Sequence, residues 1–150
     1  MPTVNASAIK EADFSIVVDA VNSTGGIFVP ALLKALGVEK VIELYCNPSG
    51  NFPHNPEPLP EHLTELAEKV VETHSDLGIT VDPDVDRLAM VCEDGSMFGE
   101  EYTLVAVSDY VLSKTPGPTV SNLSSTRALR DITEDKYHQT YRAAAVGEVN

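Results

Sequence analysis

The sequence predicts an α/β fold, a three-layer α/β/α sandwich whose mostly parallel sheet carries an antiparallel hairpin at one edge. Short apolar runs at residues 14–18, 41–45 and 77–81 are typical of strands that are covered on both faces. Stretches with helical signals separate these runs, and a turn-forming Asp-Gly pair follows a fourth apolar run at residues 88–92. Alternating strands and helices indicate a parallel sheet with a helix layer on each face.

The first strand leads into the turn-rich sequence Asn-Ser-Thr-Gly-Gly at residues 22–26. Gly25 and Gly26 could cradle a phosphate at a helix start, but neither a Gly-x-Gly-x-x-Gly pattern nor a Walker lysine stands nearby. A tight turn between strand and helix is therefore the preferred interpretation. Pro30 predicts the first turn of the helix that follows, and Gly37 predicts its end.

A long loop with five prolines, residues 47–60, follows the second strand and shows no periodicity. Long ordered loops are often functional. Apolar residues then recur at the spacing of one helix face: Leu63, Leu66, Ala67, Val70 and Val71. His62 and His74 flank this helix without a metal-binding partner four residues later, so both are predicted to lie at the surface.

The third strand, residues 77–81, delivers the most informative motif, Asp82-Pro-Asp84-Val-Asp86-Arg87. Alternate residues of an extended chain project to one side, so the three carboxylates can reach one cation. Hard oxygen ligands favour magnesium or calcium over zinc. Arg87 is predicted to offer its planar fork to a phosphate or to orient the carboxylates, the alternative being a structural salt bridge with an aspartate.

The remainder of the chain predicts a hairpin partner at residues 97–98 and a last helix at residues 101–112 on which Leu104, Val107 and Val111 share one face. We expect a first domain at residues 1–113, a linker at 114–118 rich in proline and glycine, and an incomplete second α/β unit at 119–150. About thirty residues are too few for an independent core. The chain is therefore expected to be part of a larger protein.

Composition excludes several classes of partner. The formal net charge is −13, with 10 Lys and Arg against 23 Asp and Glu, which argues against nucleic acid and anionic membranes. Cys46 and Cys92 lack a Cys-x-x-Cys spacing and are predicted to be free thiols in a reducing compartment. Without a signal-peptide pattern or a long apolar run, the chain is expected to be cytoplasmic.

With these elements in place, the chain resembles the α-D-phosphohexomutase family, which comprises phosphoglucomutases, phosphomannomutases and phosphoglucosamine mutases. The family's second domain carries a metal loop of the form Asp-Pro-Asp-(small)-Asp-Arg-(apolar), matched by residues 82–88, followed by a hairpin and the Gly99-Glu100 step. The Asn-Ser-Thr-Gly-Gly turn and the Phe-Pro loop at residues 52–58 are also similar to this domain. The match covers residues 14–112, and residues 119–150 resemble the start of the third domain.

The resemblance implies Mg²⁺ held by Asp82, Asp84 and Asp86, a catalytic Arg87, and substrate binding at Gly147 and Glu148. It further implies phosphoryl transfer from a phosphoserine to a hexose 1- or 6-phosphate, reorientation of the bisphosphate, and return of the other phosphate to the serine. The phosphoserine and the phosphate-gripping loop belong to other domains of the family, which would be the chain's partners besides the sugar phosphate. This chain alone is therefore expected to be inactive.

The sequence departs from the family pattern at Val85, where alanine or glycine is usual, and at Ala145, where many members have a lysine that contacts substrate. His54-Asn55-Pro56 is similar to part of the family's serine loop, but Pro53 stands where the nucleophile should be. That tripeptide is therefore predicted to be non-catalytic.

Two rival interpretations remain open at this point. In a calcium module of the EF-hand type, the acidic residues would be positions 1, 3, 5 and 12, but Arg87 occupies the position that requires glycine. In a magnesium-dependent phosphatase of the haloacid dehalogenase type, Asp82 would be the nucleophile, but that pattern calls for threonine or valine where Asp86 stands.

Overall fold

The computed structural model describes residues 4–99 and 102–145. The chain divides into two compact units, Met1–Glu100 and Glu101–Asn150. Gly147 and Glu148, the predicted substrate-binding residues, lie outside the described residues, as does Glu100 of the Gly-Glu step.

The first unit is built on a four-stranded sheet. Its strands are β1 (Ser15–Asp19), β2 (Lys40–Leu44), β3 (Leu77–Val81) and β4 (Leu88–Cys92), in the spatial order β2-β1-β3-β4. β1 pairs in parallel with β2 and with β3, whereas β4 runs antiparallel to β3. The predicted mostly parallel sheet with an antiparallel edge is therefore confirmed.

Helices cover both faces of this sheet. They are α1 (Ala6–Glu11), α2 (Gly25–Ala35) and α3 (Thr64–Glu72). Two hydrophobic clusters form, one that includes Val29 and Leu33 of α2 and one that includes Leu66 and Val70 of α3. This arrangement is the predicted three-layer α/β/α sandwich.

Strand β1 shows why the sandwich has two cores. Ile16 and Val18 belong to the cluster with α2, while Val17 belongs to the cluster with α3. Successive side chains of a strand point to opposite faces, and all three valine and isoleucine side chains are buried. The continuous apolar run of β1 is thus the sequence signature of a central strand that is covered on both sides.

The start of α2 differs from the sequence prediction. Pro30 lies inside the helix, which begins at Gly25 and not at the proline. Gly25 and Gly26 form the first turn, where a Cβ on Gly26 would collide with the backbone of Cys46. Close packing against the chain beyond β2 therefore sets the helix start, which local proline preference could not reveal. Gly37, in the left-handed region at φ 98°, follows the helix end as predicted.

The edge strand β4 returns through a turn at Gly95, where φ is 83°. Val91 then forms an isolated antiparallel bridge with Met97. β4 is the antiparallel edge strand, and its main partner is β3. Leu77 lies opposite Cys92, and Val81 lies opposite Leu88. β3 and β4 therefore form a hairpin whose tip is the acidic motif.

The second unit holds α4 (Tyr102–Lys114), β5 (Thr119–Asn122), α5 (Ala128–Asp131), a π-helical turn (Ile132–Lys136) and β6 (Tyr141–Ala144). β5 and β6 pair in parallel, as expected for an α/β unit.

The division between the units precedes α4, whereas the sequence placed the boundary after it, at residues 114–118. The reason is that α4 packs with the second unit: Asp109 accepts hydrogen bonds from Lys136 and from the Tyr137 hydroxyl. The apolar face predicted from Val107 and Val111 is exposed, and Leu112 is the buried residue of the helix. Among the described residues, no helix combines the length and the apolar character needed to cross a membrane.

Candidate metal and phosphate site

Residues 82–87, here called the acidic loop, connect β3 to β4. One carboxylate oxygen each from Asp82, Asp84 and Asp86 lie within 4.8 Å of one another. Asp82 is buried at the end of β3, whereas Asp84 and Asp86 are exposed. The structure thus brings together all three predicted metal ligands at the tip of the hairpin.

Asp82 organises this loop. Its Oδ1 accepts the backbone N–H of Asp86 at 3.1 Å and that of Arg87 at 3.0 Å, while its own carbonyl accepts the N–H of Val85 at 3.1 Å. Burial opposes ionisation of Asp82, but the Arg87 N–H bond and further hydrogen bonds within the loop hold its pKa below the ordinary value. Asp82 is therefore an ionised group at neutral pH with a fixed orientation.

The pKa of Asp86 is shifted in the opposite direction from that of Asp82. Its hydrogen bond with the Asp82 carboxyl and the negative charges of Asp84 and Asp82 raise its pKa. Such mutual repulsion is relieved by a cation, and carboxylate oxygens are the ligands that Mg²⁺ and Ca²⁺ accept. The residues present therefore fit a divalent cation.

Val85 has an unusual backbone for its residue type. Its φ of 64° lies in the left-handed region, which is costly for a β-branched residue. The side chain packs against the hydrophobic cluster that contains Val81 and lies next to Gly25. A glycine would suit this left-handed backbone because it has no Cβ. The valine gains packing against the hydrophobic cluster instead.

Arg87 forms an ion pair with Glu57, which belongs to the proline-rich loop at residues 47–60. The pair spans the cleft between this loop and the acidic loop. Nη1 of Arg87 lies 3.1 Å from Oε1 of Glu57, and both side chains are at least half exposed. A cavity of about 390 Å³ on one side is bounded by this pair, Asn55, Pro56, Asp82 and Pro83. A second cavity of about 430 Å³ on the other side is bounded by the pair, Pro58, Leu59, Leu88 and Ala89. The guanidinium thus stands between two open grooves, paired with a glutamate and not with the aspartate that the sequence offered as an alternative.

Sequence reasoning missed a second pair near this cleft. Asp19 lies at the end of β1, and its Oδ2 is 2.9 Å from Nε2 of His54. Burial is the main cause of the raised pKa of Asp19, partly offset by hydrogen bonds from Val21 N–H and His54. The proline loop, as residues 47–60 are called below, was identified as a candidate functional segment, but no local pattern joins His54 to a residue so far away.

Two further predictions concern the histidines and the rival folds. His62 donates its Nδ1–H to the carbonyl of Glu57 at 2.9 Å, while His74 is exposed.

The acidic loop is flanked by the strands β3 and β4, whereas an EF-hand loop is flanked by helices. A calcium module of the EF-hand type therefore does not fit.

Comparison with known proteins gives the fold and the family that the sequence predicted. Residues 1–95 match the model of the phosphoglucomutase/phosphomannomutase, alpha/beta/alpha domain II. The phosphomannomutase/phosphoglucomutase of Pseudomonas putida is 40% identical over 122 residues, which is 79% of this chain and 26% of that protein. The probable phosphoglucosamine mutase of Methanopyrus kandleri is 35% identical over 137 residues, covering 90% of this chain and 30% of that protein.

A crystal structure of a phosphoglucomutase/phosphomannomutase family protein from Burkholderia thailandensis superposes with a TM-score of 0.80 at 31% identity, over 95% of this chain and 32% of that one. The chain thus spans about a quarter to a third of the length of these relatives. Its sandwich, its antiparallel edge and the acidic loop at the hairpin tip lie in the matched region. The chain belongs to the phosphoglucomutase/phosphomannomutase family and contains its α/β/α domain II.

Proposed function

We propose that this chain supplies the metal-binding domain of a phosphohexomutase, an intramolecular phosphotransferase that interconverts hexose 1-phosphates and hexose 6-phosphates. The observation that supports the proposal most strongly is the convergence of three carboxylates within 4.8 Å, next to an arginine, in a domain of this family. The proposed substrate is a hexose phosphate, and the proposed reaction passes through a phosphoserine and a bisphosphate intermediate.

In this proposal Asp82, Asp84 and Asp86 hold Mg²⁺. When bound, the cation supplies Lewis-acid stabilisation of the negative charge on phosphoryl oxygens. Asp82 has a second task, because its Oδ1 fixes the backbone of Asp86 and Arg87 whether or not a cation is present. The loop therefore has its ligands arranged in advance, which lowers the cost of ordering them on binding.

Arg87 is proposed to bind phosphate oxygens. Its guanidinium remains charged at any physiological pH and offers a planar fork that matches a phosphate. The open grooves on both sides of the Glu57 pair give a phosphate room to approach. Because the ion pair is exposed, displacement of Glu57 by a dianionic phosphate costs little.

The remaining groups of the reaction are proposed to come from other domains of a longer protein. The acidic loop supplies neither the phosphoserine nor the phosphate-gripping loop. It also lacks the contacts that select the sugar. We therefore expect no mutase turnover from this chain alone. A cytoplasmic location is part of the proposal, since Cys46 and Cys92 are free thiols.

The first test is calorimetric titration of this chain with MgCl₂ and with CaCl₂, alongside the variant Asp84→Asn. We expect weak Mg²⁺ binding in the parent chain and its loss in the variant, because a neutral amide is a poorer ligand and the site loses a charge. Glu68→Gln removes one exposed carboxylate from α3 and should leave the binding heat unchanged.

Three outcomes would contradict the proposal. Equal Mg²⁺ binding by the parent and Asp84→Asn would show that the acidic loop is not the metal site. Tight binding that selects Ca²⁺ over Mg²⁺ would point to a calcium module instead. Turnover of glucose 1-phosphate or mannose 1-phosphate by this chain alone would contradict the dependence on other domains.

A further inference from the structure

Glu57 occupies the arginine to which the proposed function assigns phosphate. Its Oε1 lies 3.1 Å from Nη1 of Arg87, and within residues 4–99 and 102–145 this is the one hydrogen bond that the guanidinium makes. Carboxylates and phosphates bind the same planar fork of an arginine. Glu57 therefore holds a donor that an incoming phosphate would use.

Both open grooves beside this ion pair include the glutamate. The groove of about 390 Å³ is bounded by Glu57 and Arg87 together with Asp82, and the groove of about 430 Å³ is bounded by the same pair together with Leu88. A phosphate that reaches the guanidinium from either groove therefore lies beside the Glu57 carboxylate. Two anions next to one cation repel each other, so Glu57 opposes phosphate binding whichever groove the phosphate enters.

The backbone of Glu57 is fixed, although its side chain is half exposed. Oδ1 of Asn55 accepts the Glu57 N–H at 3.0 Å, and the Glu57 carbonyl accepts the N–H of Leu59 at 2.8 Å. Pro56 and Pro58 stand on either side, and a proline restricts both its own φ and the conformation of the residue before it. The carboxylate can therefore leave Arg87 by side-chain rotation alone, and it remains close enough to return.

The backbone of Arg87 is fixed as well. Oδ1 of Asp82 accepts its N–H at 3.0 Å, and the next residue, Leu88, begins β4. The Arg87 side chain is 58% exposed. An exposed ion pair is weak, because water screens the charges and two flexible side chains must be ordered. The pair can therefore open readily, and it re-forms as an intramolecular event because both partners are tethered.

We infer that Glu57 is an intramolecular competitor for phosphate at Arg87: it holds the guanidinium in the unliganded chain, gives it up to an incoming phosphate and takes it back when the phosphate leaves. The inference deepens the proposed function, because it rests on Arg87 as the phosphate-binding residue. The proposed reaction includes reorientation of a bisphosphate, for which a bound phosphate must be released. Glu57 lowers the phosphate affinity of Arg87 and supplies the cation with a partner at that moment.

The alternative role for Glu57 is to position Arg87 for phosphate. The two roles predict effects of opposite sign. Removal of a positioning residue weakens phosphate binding, because the guanidinium loses its orientation. Removal of a competitor strengthens phosphate binding, because a donor is freed and a negative charge disappears.

The test is an NMR titration of this chain with inorganic phosphate at pH 8, at constant ionic strength and without Mg²⁺. The side-chain nitrogen signals of Arg87 report phosphate at this arginine. The parent is compared with Glu57→Gln and with Glu57→Ala, the latter because a glutamine amide can itself donate to phosphate. We expect both variants to bind phosphate about two- to fivefold more tightly than the parent, the range that loss of an exposed ion pair allows.

A second readout follows the exchange in the parent chain. The carboxyl carbon signal of Glu57 should move with the same phosphate dependence as the Arg87 nitrogen signals. It should move towards its position in Arg87→Gln, a variant in which the ion pair is absent. Addition of phosphate to Arg87→Gln should leave the Glu57 signal where it is.

Glu61→Gln is the matched control. Glu61 is an exposed carboxylate in the short helical turn Pro60–His62, and it makes no described contact with Arg87. This variant loses the same charge four residues further along the chain. Its phosphate affinity should equal that of the parent, because salt screens exposed charges that are not in contact.

Equal or weaker phosphate binding in Glu57→Gln and Glu57→Ala would overturn the inference and leave Arg87 as the phosphate-binding residue. Tighter binding in Glu57→Gln alone would assign the gain to the new amide and would also overturn it. A Glu57 signal that stays in place while Arg87 responds would show that both anions share the arginine, with the same result. If Arg87 responds to phosphate in none of these chains, its proposed phosphate-binding role is wrong, and the inference with it. The Mg²⁺ calorimetry tests the cation ligands separately.

Discussion

The buried carboxylate of Asp82 accepts the backbone N–H of Arg87 at 3.0 Å, so the first predicted cation ligand also fixes the backbone of the arginine five residues later. The same oxygen accepts the N–H of Asp86. The proposed cation ligands and the proposed phosphate-binding arginine are therefore coupled through the loop backbone and not only through charge.

Asp82→Ala is expected to destabilise the chain by about 1–3 kcal/mol, because two backbone N–H groups lose their buried acceptor. Asp82→Asn keeps an acceptor oxygen and should cost less. Urea unfolding followed by circular dichroism measures both. Asp84→Ala is the matched control, since its side chain is exposed, and should stay within about 0.5 kcal/mol of the parent. Equal losses for Asp82→Ala and Asp84→Ala would rule out the organising role of Asp82.

Gly26→Ala is expected to destabilise the chain by about 1–3 kcal/mol, the usual cost of inserting a methyl group into a packed site. A Cβ there would meet the carbonyl of Cys46, which is backbone and cannot rotate away. Thermal unfolding measures the loss. Gly117→Ala provides the comparison, because its Cβ would meet nothing within 4 Å. A Gly26→Ala chain as stable as Gly117→Ala would show that α2 does not approach Cys46 so closely.

Cys46 is expected to resist alkylation. Burial, together with the negative charge of Glu43, raises the pKa of its thiol from 9.0 to about 11. At pH 8 its thiolate fraction is then about a hundredfold below that of an ordinary cysteine, and only the thiolate reacts. Iodoacetamide labelling of Cys92→Ser, with and without urea, isolates this residue. Similar rates in the folded and unfolded chain would contradict the burial of the thiol.

The second unit should lose stability in acid through Asp109. Hydrogen bonds from Lys136 and Tyr137 lower the pKa of this carboxyl below 3.8. A lowered folded-state pKa contributes stability above the unfolded value, and that contribution disappears as pH falls from 3.8 through the folded value.

The Tyr137 resonances should therefore respond to acid in the parent chain and much less in Asp109→Asn. Asp135→Asn removes an exposed charge from the same π-helical turn and should behave like the parent. An unchanged acid response in Asp109→Asn would assign that response to another group.

The sequence predicted the elements whose signals are local. The strands at 77–81 and 88–92 agree with β3 and β4 residue for residue, since each is a short apolar run with clear turn residues beside it. The three carboxylates at alternate positions were also predicted to lie together, and one oxygen of each lies within 4.8 Å of the others.

The sequence could not predict features that depend on distant partners. Pro30 misled the helix start because packing of Gly26 on Cys46, twenty residues away, decides it. Glu57 and His54 were missed because their partners, Arg87 and Asp19, lie about 30 residues away along the chain. Proline composition marked the loop, but only the fold shows which of its side chains face the site.

The hairpin of β3 and β4 has a consequence for the order of folding. Leu77 pairs with Cys92, close by in sequence, whereas Ile16 must find Leu77 across more than half of the first unit. Closing a short loop costs less chain entropy than closing a long one, so local pairings form early. We therefore expect the crowded carboxylates to come together early in folding, and if they hold Mg²⁺ as proposed, millimolar Mg²⁺ should accelerate refolding, measured by stopped flow, more than it slows unfolding.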